Sequence, residues 1–161
     1  MDWIFGVLVG AAVLHVLEEY GYPGGFMGWM RRSSPRFARY ITTRFAVIIN
    51  GLFLVLCVLG AVVAGKQLVF SLSVASLLFV NGCIHLVGAI RARGYAPGLV
   101  SGVLLYIPLS LYTLTSFVSS GRVSLAEGVI SGSLGVMYNA VPIGYLGLVS
   151  VIKRSYLHSG T

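Results

Sequence analysis

The sequence is short of charge, and shortest of acids. Of 161 residues, 9% are charged and 57% hydrophobic, with a mean hydropathy of +0.93. Soluble domains carry about 25% charged residues. A chain this depleted cannot cover a water-exposed surface, so its composition points to an integral membrane protein. Cysteine is scarce as well. Cys57 and Cys83 both fall inside apolar runs, read as small core residues, and define no redox compartment. The acids are Asp2, Glu18, Glu19 and Glu127. With only Glu18 and Glu19 close together, a ferritin-type di-iron centre, which uses four carboxylates, is under-supplied.

Long apolar runs are abundant. A bilayer core about 30 Å thick needs roughly 20 apolar residues per helix. The segments 3–20, 43–65, 68–90, 97–119 and 126–152 reach that length. A membrane β-barrel predicts short alternating strands, and "LFLVLCVLGAVVAG" does not alternate. The expected fold is all-α: a bundle of five transmembrane helices forming one domain over 1–161. The first segment has no basic n-region and no small-x-small cleavage site, so it is expected to be retained as a helix.

Net charge is +7, but its distribution argues for topology rather than nucleic acid. Arg31, Arg32, Arg36 and Arg39 precede the second span and Arg44 lies at its start, Arg91 and Arg93 follow the third, and Lys153 and Arg154 follow the fifth. The opposite side holds Lys66 and Arg122. The positive-inside rule then predicts an external N-terminus, a cytoplasmic C-terminus and a multi-pass protein of the cell membrane. Residues 26–42 mix aromatics with arginines. They read either as a short interfacial helix over the inner leaflet or as a basic loop anchored by Trp29 and Tyr40. Pro97 fits the first turn of the fourth span. Pro108 should kink that span and free a carbonyl near Leu104. Gly128, Gly132, Gly135, Asn139 and Pro142 form a stripe in the fifth span that suits close packing. Gly6 and Gly10 form a GxxxG face that suits another helix or a second protomer.

The stretch "LHVLEEYGYPGG" places His15, Glu18 and Glu19 at the end of the first span. On a helix the three share an arc of about 100°. A histidine with a carboxylate three or four residues on can bind one metal ion, or can simply make a His–Glu hydrogen bond. His85 lies at a matching depth in the third span, with Asn81 one turn away on the same face, and Asn50 is at similar depth in the second. Ionisable groups inside a membrane are functional candidates. Plainer readings stay open: His85 bonded to a backbone carbonyl, Asn50, Asn81 and Asn139 as interhelical packing groups, and the glutamates facing Arg31 or Arg32.

"HVLEE", the Asn81/His85 pair and "YAPG" at 95–98, in this order, resemble the HXXEE-domain family of small membrane proteins. The resemblance runs from the first span to the fourth. It implies where a site lies and leaves its chemistry open.

Three function classes follow. The first is a metal-dependent enzyme in which His15, His85 and Glu18 or Glu19 hold zinc or iron, with the other glutamate as general base. Asn50, Asn81 and Asn139 would be supporting residues, and the substrate a lipid or isoprenoid-like molecule near the cytoplasmic interface. The second is a metal-free acid–base enzyme such as a lipid isomerase. The third is a transporter or binding subunit, disfavoured because the polar groups cluster on one side rather than at the midplane.

Overall fold

The structure, a computed structural model, describes residues 2–158. The side chains of Arg36, Phe37, Ser150 and residues 152–158 lie outside the described residues, and with them the inner charges expected at Arg36, Lys153 and Arg154. Among the described residues every regular element is helical: α1 (Trp3–Gly21), α2 (Gly25–Ser33), α3 (Pro35–Ala38), α4 (Thr43–Val63), α5 (Leu68–Ala92), α6 (Leu99–Ser101), a π-turn (Gly102–Tyr106), α7 (Ile107–Ser119) and α8 (Leu125–His158). Five stretches are long and apolar enough to cross a membrane: Trp3–Gly21, Thr43–Val63, Leu68–Ala92, Leu99–Ser119 and Leu125–Val149.

α5 is the central helix, and its sequence explains why. Eight consecutive residues, Ser71 to Leu78, are all buried, which requires neighbours on every side. Half of them are serine or alanine, and small side chains let helices approach closely. Gly135 of α8 lies so close to the Ser76–Leu77 backbone that a Cβ would collide there. Ser131 Oγ donates to the Val69 carbonyl at 3.1 Å, and Asn139 Nδ2 to that of Leu77 at 3.1 Å. On the α4 side, Ser71 Oγ donates to the Gly60 carbonyl at 2.7 Å. The α8 stripe is only partly used, since no atom lies within 4 Å of where a Cβ on Gly132 would stand. The same holds for Gly6 and Gly10, so among the described residues that face packs against no helix.

Pro108 lies at a disturbance of the fourth span. The wide turn Gly102–Tyr106 runs just before it, with the Ile107 N–H reaching the Gly102 carbonyl. Turns of this i→i+5 kind occur where a helix must absorb a register change. The free carbonyl expected near Leu104 therefore falls inside a π-turn. That turn also brings Gly102 against Gly82, where a Cβ would stand 2.8 Å from the Gly102 carbonyl oxygen.

The two ends of the bundle differ. At the N-terminal end, Arg122 Nη1 donates to Asp2 Oδ1 at 2.7 Å, tying the loop before α8 to the start of α1. This bond holds the Asp2 carboxyl below its usual 3.8. Glu127 and Ser124 form a reciprocal capping box at the start of α8, with Ser124 N donating to Glu127 Oε2 at 2.7 Å and Glu127 N to Ser124 Oγ at 3.2 Å. At the other end, Gly24 and Gly25 take φ of +80° and +61°, which glycine adopts freely. They turn the chain from α1 into α2, so the first part of 26–42 takes the helical one of the two forms its sequence allowed.

Candidate metal centre and cavity

Helical spacing on α1 puts His15 and Glu19 on the buried face. His85 comes from the buried face of α5. The three meet: Glu19 Oε1 lies 3.2 Å from His85 Nε2 and 3.7 Å from His15 Nε2. All three side chains offer a ligating atom within 4.8 Å of the others. Two ligands on one tetrahedral ion with bonds near 2.1 Å stand about 3.4 Å apart, so the spacing suits a single small cation. The donor set is two imidazole nitrogens and one carboxylate oxygen, a combination used for zinc and for non-haem iron.

The surroundings of these atoms are specific. Asn50 Nδ2 donates to Glu19 Oε2 at 2.8 Å, leaving Oε1 toward the histidines. Tyr106 stacks on the His15 ring at 4.4 Å, and the two imidazoles meet edge to face at 4.7 Å. Phe26 of α2 stands 6.2 Å from the His85 ring. Gly98, at φ +86°, fills the remaining side. A Cβ there would stand 2.6 Å from His15 Cε1 and 2.8 Å from His85 Cε1. Among the described residues the buried His15 Nε2 has no hydrogen-bond partner; at 3.7 Å, Glu19 is too far to serve as one.

Glu18 points elsewhere. Its carboxylate accepts from Tyr95 Oη at 2.6 Å, from the N–H groups of Val100 and Ser101 at 2.9 and 2.7 Å, and from Ser101 Oγ at 2.5 Å. It thus closes the N-terminus of the fourth span and pins the Tyr95–Gly98 turn. Burial, and then the hydrogen bond to Glu18, push the Tyr95 phenol above its usual 10.0. Ser101 Oγ also lies 2.8 Å from His15 Nδ1, joining Glu18 to the cluster at one remove.

The His15–Glu19–His85 group borders a cavity of about 940 Å³ between α4, α5 and α8, roofed by α2. Its lining is mostly apolar, from Phe45, Ile49 and Phe53 to Leu56, Leu77 and Val80. Trp29 and Met30 of α2, and Arg91, also line it. Asn81 and Asn139 also line it. Asn81 Oδ1 is buried without a partner, whereas Asn139 is engaged with backbone carbonyls of α5 and α8. The structure therefore brings together His15, Glu19, His85 and Asn50, and sets Asn81 and Asn139 on the wall of the same cavity. Tyr106 and Ser101 were not anticipated from the sequence; a tyrosine or serine in an apolar helix carries no local signal of what it touches. Gly98 had one, because "YAPG" ends where only glycine leaves room for two rings.

The family model described as "Protein of unknown function with HXXEE motif" matches residues 3–113. That is more than half of the chain, which belongs to this family. Comparisons with curated proteins and with solved structures give no match.

Proposed function

We propose that this HXXEE-family protein is a metal-binding integral membrane protein that works as an enzyme on a lipid or isoprenoid-like substrate near the cytoplasmic interface. His15, Glu19 and His85 would hold a divalent ion, zinc or iron. The observation that carries the reading is the His15 Nε2 atom: buried, without a hydrogen-bond partner, and 3.7 Å from a carboxylate oxygen. A buried polar atom left without a partner costs about 1–3 kcal/mol, and a cation shared by the three side chains removes that cost.

The cavity supports the substrate class. It is large, mainly apolar, and polar where it meets the cluster. An amphiphile fits such a space by its chain, with its polar atoms toward His85, Asn50 and Asn81. Bound to this donor set, a divalent ion polarises an oxygen or lowers the pKa of a bound water. The chain's own groups do the rest. Asn50 orients Glu19, Tyr106 and Gly98 fix the His15 ring, and the apolar walls exclude bulk water. The excess of basic residues on the α2 end favours a cytoplasmic placement of that end, with the N-terminus outside, in a cell membrane. Elemental analysis of purified protein tests the reading. About one equivalent of a transition metal is expected in the wild type and little in His15→Ala or His85→Ala.

One contact favours a second reading. His85 Nε2 and Glu19 Oε1 are already at hydrogen-bond distance, 3.2 Å, as in a metal-free acid–base pair of the isomerase type. Metal-free protein that turns over a lipid substrate would establish that alternative.

A further inference from the structure

We propose that Glu18 and Ser101 are positioning residues: through the Ser101 hydroxyl, Glu18 holds His15 in the tautomer with hydrogen on Nδ1 and a bare Nε2 facing Glu19 and His85. The inference deepens the metal reading above by dividing the labour of two adjacent glutamates.

Ser101 Oγ carries one hydrogen and two lone pairs. Its near neighbours are Glu18 Oε2 at 2.5 Å, His15 Nδ1 at 2.8 Å and the Gly98 carbonyl at 3.5 Å. Glu18 also receives the N–H groups of Val100 and Ser101 and the Tyr95 hydroxyl, so its carboxylate is the acceptor in every contact. The hydroxyl hydrogen belongs on its shortest contact, toward Glu18, as in charge-assisted O–H···O⁻ bonds. Turning that hydrogen toward His15 would leave two oxygens 2.5 Å apart with nothing between them. His15 Nδ1 must then be the donor to Ser101. A neutral imidazole has one N–H, so Nε2 presents its lone pair.

That lone pair is the buried atom without a partner. It faces a carboxylate, which also offers only acceptors. A relay from carboxylate to hydroxyl to imidazole thus prepares the ring to accept a cation. Outer groups of this kind fix the tautomer and orientation of ligating histidines in metal sites, and removing one weakens metal binding about 10–100-fold. Glu18 contributes by fixing the ring, and Glu19 by lying beside it.

Nitrogen-15 NMR of histidine-labelled protein in lipid nanodiscs tests this directly, with the His15 signals assigned by their loss in His15→Gln. Metal-free wild type should show His15 protonated on Nδ1 and bare on Nε2. Ser101→Ala should shift the ring toward the other tautomer, and Ser101→Thr, which keeps the hydroxyl, should restore it. In parallel, zinc affinity should fall 10–100-fold in Ser101→Ala and recover in Ser101→Thr. Glu18→Ala, which removes the acceptor of the Ser101 hydroxyl hydrogen and frees it to turn toward His15, should reproduce the tautomer shift if Ser101→Ala fails to fold. A wild-type His15 protonated on Nε2, or a tautomer unmoved by both variants, overturns the relay. If wild type binds no zinc while the tautomer behaves as stated, the relay stands and the metal reading falls.

Discussion

Glu18 and Glu19 are adjacent in the chain, yet their carboxylates serve different elements. Glu18 takes four donors from the segment that opens the fourth span, while Glu19 lies between His15, His85 and Asn50. Residues one apart on a helix differ by about 100°. That rotation lets one motif address a neighbouring helix terminus and an internal cluster at once.

Gly98 should tolerate no side chain. In Gly98→Ala the new methyl meets two imidazole rings at 2.6 and 2.8 Å, and the backbone sits at φ +86°. Overpacking of this kind costs about 1–3 kcal/mol, and the left-handed conformation adds about 1–2. Thermal unfolding in detergent should show a clear drop in Tm. Gly10→Ala, with no atom within 4 Å of its Cβ, should be neutral or mildly stabilising. Equal effects from the two would remove Gly98 from its place between the rings.

Two asparagines on the cavity wall should behave differently. Asn50→Ala removes the donor to Glu19 Oε2, so metal affinity should fall about 10–100-fold. Asn139→Ala removes bonds to the Leu77 and Gly135 carbonyls. It should cost about 1 kcal/mol of stability and leave metal affinity unchanged. Titration of each apoprotein with zinc separates them, and a loss of affinity confined to Asn139→Ala would reverse the assignment.

Much of this was legible in the sequence because apolar length and helical spacing are local properties. The five spans and the meeting of His15 with His85 follow from runs and depth, whereas residues 26–42 read equally as a short helix or a basic loop. The separate directions of Glu18 and Glu19 were not legible. They depend on which backbone N–H groups a different span brings alongside, and helical phase leaves either carboxylate available to the cluster. Pro108 announced a disturbance but not its form. A π-turn precedes it, beside the close contact of Gly82 with Gly102, residues of two different spans. The turns "GYPGG" and "GYAPG" lie far apart in the chain. In three dimensions their tyrosines, Tyr22 and Tyr95, lie 5.2 Å apart.

Membrane sidedness has its own test. In a background lacking Cys57 and Cys83, a single cysteine at position 66 should react with an impermeant thiol reagent added outside intact cells. One at position 36 should react only after lysis. The reverse pattern would turn the bundle over and move the His15–Glu19–His85 end to the outer face.

The Asp2–Arg122 pair predicts a modest acid dependence. A carboxyl whose folded pKa lies below its unfolded value adds stability that is fully present above the unfolded pKa, near 3.8 here. That contribution disappears as pH falls through the folded pKa. Asp2→Asn should therefore flatten the acid limb of the stability profile below about pH 4 and leave Tm at neutral pH little changed, since exposed pairs contribute little. A neutral-pH loss as large as that of Gly98→Ala would contradict this.

Metal removal gives the sharpest comparison. A ligand that binds only the folded state stabilises it by RT ln(1 + [L]/Kd), about 2.7 kcal/mol at a hundredfold excess over Kd. If the cluster holds an ion, a chelator should lower the Tm of the wild type, and added zinc or iron should restore it. In His85→Ala, which lacks one ligand, the chelator should have little effect. If the cluster is instead an internal His–Glu hydrogen-bond network, the wild type should ignore both chelator and metal. His85→Ala should still lose stability in that case, because Glu19 Oε1 would keep only His15 beside it, at 3.7 Å. A wild-type melting curve indifferent to chelator, zinc, iron and manganese sinks the metal centre and leaves the acid–base pair.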